Sequence, residues 1–254
     1  YKKLFPTWSE EKIRRATKDT PAAMFADSGK EKHILLDQLK VWKEEGGKGY
    51  FVIVPPKSGK VRCKPASYER ACMVSEFIKK YNLPGKVYLL DNAPAPQAKG
   101  PIFIDIFIKQ HRDTIVFNGM NADEMERRIK KAGLDMTNFK QKENFSKLED
   151  VFATCDIKDV DFDKKEISFQ YADHFNDDGK IEKITYAIAN IIPYHRGNKT
   201  ADFFDVKKDG WGGIVCAPNK IYSVSDSTVY VAGDIIGYHK FDPSAQASVS
   251  VGML

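Results

Sequence analysis

The sequence has no apolar run long enough to cross a membrane. Its longest apolar stretches, such as Ile188 to Pro193 with Asn190 inside it, are short, whereas a bilayer-spanning helix needs about 18 or more apolar residues. The first residues, from Tyr1 to Pro6, also lack the long apolar stretch and small-residue cleavage site of an export signal. We therefore expect no transmembrane segment.

Cysteine is scarce, and the few cysteines are scattered. The chain has 4 Cys and no C-x-x-C pair, and its 5 His show no i, i+4 spacing. A disulfide scaffold needs many paired cysteines, and a structural zinc site needs closely spaced ligands. Both are therefore excluded as descriptions of the chain, and we predict no metal site.

A strong charge of one sign is also missing. Lys and Arg number 40 against 35 Asp and Glu, which leaves a net charge of +5 with both signs interspersed. That balance is too weak to predict a nucleic-acid partner. Apolar residues at 42% and charged residues at 30% of 254 positions are typical of a globular protein that buries a substantial core.

Alternating strand and helix patterns predict an α/β fold. The runs 50–54 and 86–90 are short, apolar and β-prone, which is typical of buried parallel strands. A helical stretch from about Ser67 to Tyr81 lies between them and completes a βαβ unit. Further elements are expected as a helix that ends at the glycines 46–49, a helix at 102–111, a strand at 114–117 and a helix at 122–131.

Beyond Leu148 the pattern changes to alternating strands. Strands at 167–171 and 181–192, joined by an Asp178-Gly179 turn signal, predict an antiparallel meander. A strand at 228–232 and a helix that begins at Asp242-Pro243 are expected near the end of the chain.

The loop after the first predicted strand lacks the glycines of a dinucleotide-binding motif. Such a motif carries three glycines, for a tight turn, close approach of the pyrophosphate and helix packing. Here Val54 is followed by two prolines and only one glycine before Cys63. A nicotinamide cofactor therefore has no obvious binding loop, although Asp91 ends the second strand where a ribose-binding acid would stand.

Two cysteines lie in predicted loops. Cys63 stands between an arginine and a lysine, and neighbouring cations lower a thiol's pKa and favour its thiolate. An ordinary loop residue beside surface charges is the equally open alternative. Cys216 also lies in a loop, whereas Cys72, on a helix, and Cys155, at the end of a strand, are predicted to be inert core residues.

Several motifs follow one another in an order that is more specific than any one of them. They are Tyr50-Phe51-Val52-Ile53-Val54-Pro55-Pro56, Arg62-Cys63-Lys64-Pro65, Tyr68-Glu69-Arg70-Ala71, Asn190-Ile191-Ile192-Pro193 with Arg196, Gly210-Trp211 with Cys216 and Pro218, and Val231-Ala232-Gly233-Asp234. In this order and spacing, over nearly the whole chain, they resemble the flavoprotein subunit of flavocytochrome c sulfide dehydrogenase.

This resemblance implies a glutathione-reductase-like flavoprotein fold, with two dinucleotide-binding-type (Rossmann-like) domains and an antiparallel β meander. Residues 1–48 would be a linker and the remainder of the FAD-binding domain, and 49–193 a nicotinamide-type domain without a phosphate loop. Residues 194–254 would be the C-terminal part of the FAD-binding domain. The family's first FAD-binding segment would precede Tyr1, so the chain is expected to be an interior piece.

The resemblance also assigns a redox pair. Cys63 and Cys216 occupy the positions of two family cysteines that form a redox-active disulfide over the flavin. In the family the second cysteine follows its tryptophan almost at once, whereas here residues 212–215 lie between Trp211 and Cys216.

Four further residues are assigned to the cofactor by the same resemblance. Gly233 and Asp234 would contact the ribityl chain of FAD, since a carboxylate accepts hydrogen bonds and glycine permits close approach. Ser244 and Ala245 would begin a helix whose amino end stabilises negative charge on the reduced flavin.

The implied function is FAD-dependent oxidation of hydrosulfide in the periplasm. Sulfide would reduce the Cys63–Cys216 disulfide, and electrons would pass through the flavin to a c-type cytochrome partner. Two alternatives stay open. One is an NAD(P)H-dependent flavin disulfide reductase, and the other is a non-catalytic structural or docking homologue, which the four-residue insertion before Cys216 favours.

Overall fold

The computed structural model describes residues 1–22, 30–57, 63–134, 148, 151–172, 179–195, 199–217 and 220–237, with only the backbone at Asp234. The chain divides into two compact units. The first comprises 1–58 and 64–193, and the second comprises 59–63 and 194–254. The short segment 59–63, which connects a strand and a helix of the first unit, is therefore grouped with the second.

Helices and strands alternate through the first unit. In chain order they are α1 (Glu10–Asp19), α2 (Lys30–Glu44), β1 (Tyr50–Val54), α3 (Ala66–Lys80), β2 (Lys86–Leu89), α4 (Gly100–Lys109), β3 (Ile115–Phe117), α5 (Ala122–Lys131), β4 (Thr154–Asp161), β5 (Glu166–Ala172), β6 (Ile181–Thr185) and β7 (Ile188–Ile191). In the second unit, short 3-10 helices span Lys199–Phe203 and Gly233–Ile235. None of the described helices is both long and apolar enough to span a membrane.

A four-stranded parallel sheet in the order β3-β2-β1-β7 is the centre of the first unit. Strand β1 pairs with β2 in the register Tyr50 to Lys86 and with β7 in the register Val52 to Ala189. The predicted α/β class and its βαβ unit are confirmed. The four predicted helices, now α2 to α5, end within two residues of the expected positions.

Strand β1 is buried on both faces because each face meets a separate hydrophobic cluster. Phe51 and Ile53 pack with residues of α3, α4 and α5 on one side. Val52 and Val54 pack on the other side with residues of α1 and the antiparallel strands. This two-sided burial explains why the strand is a continuous apolar run without alternation.

The meander is confirmed as a three-stranded antiparallel sheet in the order β4-β5-β6. The expected single strand at 181–192 is wrong, however, because it is divided between two sheets. The Tyr186 N–H donates to Lys165 O, and the Ala187 N–H donates to Tyr50 O. The chain therefore leaves the meander at Thr185 and enters the parallel sheet as β7.

Two other local predictions need correction. The expected strand at 228–232 is an extended segment with one isolated bridge, between Tyr222 and Tyr230, because a turn at Asp226 lets only a few residues pair. Cys155 lies near the start of β4 and not at the end of a strand, since its N–H donates to Asp91 O. The helix expected at Asp242-Pro243 lies outside the described residues.

Asn118 joins three chain segments at one edge of the parallel sheet. Its side-chain oxygen accepts from Asp91 N at 2.6 Å, and its amide donates to Asp91 O, Ala93 O and Ala153 O at 3.0, 3.1 and 2.7 Å. The residue is buried and has a φ of 45°, a left-handed conformation that asparagine tolerates better than most residues. Asn118 thereby ties the ends of β2 and β3 to the start of β4.

We expect Asn118→Gly to lower the free energy of unfolding by about 2–4 kcal/mol, because buried backbone groups lose partners at about 1–3 kcal/mol each. Glycine keeps the left-handed backbone without strain, so the loss reports the side chain alone. Asn121→Gly is the matched control, since glycine replaces a helix N-cap at a cost of only a few tenths of a kcal/mol. Urea unfolding measures both, and equal losses would contradict the assignment.

Candidate functional site

The carboxyl edge of the parallel sheet, where folds of this type bind ligands, is filled by side chains. The Tyr68 hydroxyl donates to Asp91 Oδ2 at 2.6 Å, and it accepts from the N–H of Gln97 at 2.9 Å. The Gln97 side-chain amide donates to Pro56 O at 2.8 Å. The segment 91–97 is thus bonded to the segment that follows β1 and covers the ends of β1 and β2.

Asp91 is not available to a ribose. Its side chain is fully buried, and its Oδ1 accepts from the N–H of Ala93 at 3.0 Å. Burial raises the pKa of this carboxyl from 3.8 to about 6, against the hydrogen bonds from Tyr68 and Ala93, which favour the charged form. The sequence position that suggested a cofactor contact is therefore a structural one.

The raised pKa of Asp91 predicts an unusual pH dependence. The folded state binds the extra proton between the unfolded pKa of 3.8 and the folded value of about 6. The associated stability is present below pH 4 and is lost as the pH rises through 6. We expect wild-type protein to lose about 3 kcal/mol of unfolding free energy relative to Asp91→Asn between pH 4 and 7.

Urea unfolding of both proteins across this pH range measures the difference. Glu182→Gln, which removes an exposed carboxyl, controls for the loss of an acid and should run parallel to wild type. A difference between wild type and Asp91→Asn that does not change with pH would mean that the buried carboxyl is charged throughout.

Two other motif residues in the first unit are also structural. The Arg70 guanidinium donates to Ala22 O and, at 3.1 Å, to Asn190 Oδ1. The Asn190 side-chain amide donates to Pro21 O at 2.8 Å, and the residue is fully buried in β7. Together Arg70 and Asn190 bind the segment after α1 to the sheet, so the motif in which they lie holds the fold.

Cys216 lies in an extended segment of the second unit. It bridges Ser223 in antiparallel fashion, and the neighbouring Val215 donates its N–H to Lys207 O at 2.9 Å. The half-buried thiol packs against the cluster that includes Ile214 and Val231. Partial burial raises the pKa of the Cys216 thiol, because a thiolate there loses hydration.

The four residues between Trp211 and Cys216 form a compact turn. Asp209 Oδ1 accepts from the N–H of Trp211 at 2.8 Å and of Gly213 at 2.9 Å. The Gly212 φ of 79° closes the turn. Ile214 then pairs with the 235–237 segment, donating to Ile235 O and accepting from Gly237 N, both at 2.8 Å. The insertion therefore brings the strand of Cys216 beside the segment that follows Gly233.

Gly233 begins the short 3-10 turn Gly233–Ile235 with a φ of 74°. The preceding Ala232 is extended, so the chain arrives as a strand end and turns where there is no side chain. Only the backbone of Asp234 is described, and Ser244 and Ala245 lie outside the described residues. What the structure offers a flavin here is a glycine turn that permits close approach.

Cys63 is half-buried, and it is grouped with residues 194–254 although it lies between β1 and α3 in the sequence. Cys63, Cys216 and Gly233 therefore fall in the same compact unit. The pairing of the two sulfur atoms stays a prediction. Cys72, on α3, has its pKa raised to about 11 by burial, and burial also raises the pKa of Cys155. Across the described part of the chain, no cluster of three or more His, Cys, Asp or Glu could hold a metal ion.

Asp209 and the pair of Gly213 and Gly237 were not predicted as site residues. A Cβ at Gly213 would lie 2.6 Å from Gly237 Cα, so the two backbones touch. The signal was present in the run Asp209-Gly210-Trp211-Gly212-Gly213, because an aspartate before glycines is typical of a side-chain-capped turn.

We expect Gly213→Ala to destabilise the second unit by about 1–3 kcal/mol, since the added methyl overpacks two backbones. The displaced strand should also expose Cys216, and its alkylation rate should rise. Gly210→Ala is the matched control, because a Cβ at Gly210 meets nothing within 4 Å. Thermal unfolding and peptide mass spectrometry after timed alkylation measure both effects, and equal behaviour of the two variants would contradict the packing.

The first unit, a parallel sheet built on a βαβ unit, has the architecture of the dinucleotide-binding-type α/β folds. Residues 32–152, slightly less than half of the chain, match the family described as the sulfide dehydrogenase (flavocytochrome c) flavoprotein chain, central region. The resemblance to this family is thus confirmed for that segment. No curated protein matches the whole sequence.

Solved structures with a similar chain trace include two oxidoreductases. Thioredoxin reductase from Lactococcus lactis aligns with a TM-score of 0.46 and 10% identity, over 85% of this chain and 56% of that one. NDH2 from Plasmodium falciparum in complex with NADH aligns with a TM-score of 0.43 and 15% identity, over 87% of this chain and 40% of that one. The chain thus spans about half of the length of these structures.

Proposed function

We propose that the chain is part of an FAD-dependent sulfide oxidoreductase in which Cys63 and Cys216 form a redox-active disulfide. The observation that carries the proposal is the grouping of the 59–63 segment with residues 194–254. This grouping puts two cysteines that are far apart in sequence into one unit with the Gly233 turn. The family match of residues 32–152 supplies the chemical class.

The proposed reaction begins with attack of hydrosulfide on the sulfur of Cys63. A new S–S bond forms between the substrate and Cys63, the Cys63–Cys216 bond breaks, and Cys216 leaves as a thiolate. The substrate sulfur is oxidised and the disulfide is reduced, so the electron pair that the substrate gives up resides on the Cys216 sulfur. The chain's contribution is to hold these two sulfurs and to keep the Cys216 strand partly shielded from water.

FAD is the proposed cofactor, and when bound it would accept the electron pair and release single electrons to a c-type cytochrome. Gly233 and the backbone at Asp234 fit such a group, because a left-handed glycine at a strand end leaves room for close approach. Ser244 and Ala245 are proposed to complete the contact. By this proposal residues 1–48 and 194–254 belong to the FAD-binding domain and 49–193 are the nicotinamide-type domain, in a periplasmic protein.

The filled carboxyl edge argues against reduction by NAD(P)H. A nicotinamide dinucleotide would need the edge that Tyr68, Asp91 and Gln97 occupy, and these residues are held by short hydrogen bonds. The phosphate-binding glycines are also missing after Val54. Electrons are therefore proposed to enter through the disulfide.

We expect Cys63→Ser and Cys216→Ser to abolish bleaching of bound flavin by sulfide while bleaching by dithionite persists, because only the first route needs the disulfide. The measurement is anaerobic absorbance spectroscopy on the FAD-loaded protein. Cys72→Ser is the matched control and should behave as wild type, since burial raises the pKa of Cys72 to about 11.

A thiol count tests the disulfide without flavin. Denatured, air-oxidised protein should take up alkylating reagent at two cysteines, and pre-reduced protein at all 4 Cys. Four alkylated cysteines in the oxidised sample would remove the disulfide from the proposal. Sulfide bleaching in both serine variants would remove the mechanism, and bleaching by NADH would favour the disulfide reductase.

A further inference from the structure

A cavity of about 690 Å³ lies within the first unit at the amino ends of β1 and β7. Its volume is in the range of about 300–1,000 Å³ that is typical of small-molecule sites. Because parallel strands share their ends, this edge is opposite to the one that Asp91 closes. The cavity is bordered by α1, α2, the turn between β4 and β5, and the link between β6 and β7.

Aromatic side chains form much of the cavity wall. Trp42, Phe162 and Tyr186 all line it, and each is at most 7% exposed. The Trp42 indole N–H already donates to Lys48 O at 2.8 Å, so the ring contributes an apolar surface. Ile34 and Ile188 extend this surface. Such a wall favours a planar, largely apolar ligand.

The cations at the cavity are of two kinds. Arg15 is neutralised by Asp19 at 2.9 Å and by Asp163 at 2.7 Å. Lys48 and Lys165 also line the cavity, and within the described ranges neither has a carboxylate oxygen within 4.0 Å of its ammonium group. These two lysines give the cavity positive charge that its own acids do not cancel.

Both lysines are tied to the aromatic wall through their backbones. Lys48 O accepts from the Trp42 indole, and Lys165 O accepts from the Tyr186 N–H at 2.9 Å. Each flexible ammonium group therefore starts beside an aromatic ring, within reach of an anion on a ligand that stacks there. Glu45 is the remaining acid at the cavity without an ion pair among the described residues, so unpaired cations outnumber it.

Two buried polar atoms at this cavity have no hydrogen-bond partner within the described part of the chain. They are the Tyr186 hydroxyl and Gln38 Oε1. Burial raises the pKa of the Tyr186 hydroxyl, so it stays protonated and able to donate. Buried polar groups without partners are rare in folded proteins, and a polar ligand would supply what both atoms lack.

We propose that this cavity binds a small aromatic molecule with one negatively charged group. Its ring packs on Trp42, Phe162 and Tyr186, and its anionic group lies between Lys48 and Lys165. This site is separate from the cysteine pair and does not depend on the proposed function.

The probes are 2-naphthoate and its uncharged analogue 2-naphthamide, titrated by calorimetry into the 254-residue chain. Amide NMR shifts locate the bound probe. We expect naphthoate to bind and to shift the amides of Trp42, Lys48 and Tyr186. Lys48→Gln and Lys165→Gln should each weaken naphthoate binding about three- to tenfold, since each removes one partner of a charged contact. Both variants should leave the weaker binding of naphthamide unchanged.

Lys220→Gln is the matched control for the two lysine variants, because it removes an exposed lysine from the second unit. Ile34→Trp should fill the cavity and abolish binding of both probes. Absence of binding to wild type, equal affinity for the two probes, equal effects of Lys220→Gln and Lys165→Gln, or amide shifts confined to residues away from the cavity would each overturn the proposal.

Discussion

Buried side-chain hydrogen bonds close the carboxyl edge of the parallel sheet, and the arrangement of the first unit depends on them. Asn118 bonds to the backbone after β2 and before β4, and Asp91 is held by Tyr68 at 2.6 Å. Without these bonds, several buried backbone groups at the strand ends would be without partners, which costs more free energy than ordinary packing restores. The same bonds fix where the meander leaves the sheet, since Cys155 at the start of β4 donates its N–H to Asp91 O.

Closing this edge separates structural residues from candidate chemical ones. In the first unit, the polar motif residues Arg70 and Asn190 bind the segment after α1 to β7, and their groups are used up in that role. In the second unit, the turn at Asp209 and the contact between Gly213 and Gly237 set the position of the Cys216 strand. A segment that resembled a disruptive insertion in the sequence is therefore a built turn whose glycines are required by close packing.

The sequence predicted those elements whose pattern depends on burial alone. Strand β1 is apolar at every position because both of its faces are covered, and α5 has acids before bases because its amphipathic surface follows the helix dipole. Helix α1 was missed even though Ser9 caps it and two glutamates follow. The division of 181–192 between two sheets could not be predicted, because alternation shows which face of a strand is buried but not which strand lies beside it. The roles of Asp91 and Asp209 depend on partners distant in the chain or on turn geometry, which spacing alone does not reveal.

The environments of the cysteines explain why the sequence could rank them before their positions were known. Burial raises the pKa of Cys72 to about 11 and raises that of Cys155 further, so neither forms an appreciable amount of thiolate near neutral pH. Cys216 is less deeply placed, and its raised pKa has a different consequence inside a disulfide. A thiol with a high pKa is a poor leaving group but a strong nucleophile once deprotonated. Its thiolate, released by attack on Cys63, would therefore be the electron-rich member of the pair. That asymmetry gives the proposed disulfide a direction, with substrate at Cys63 and electron release at Cys216.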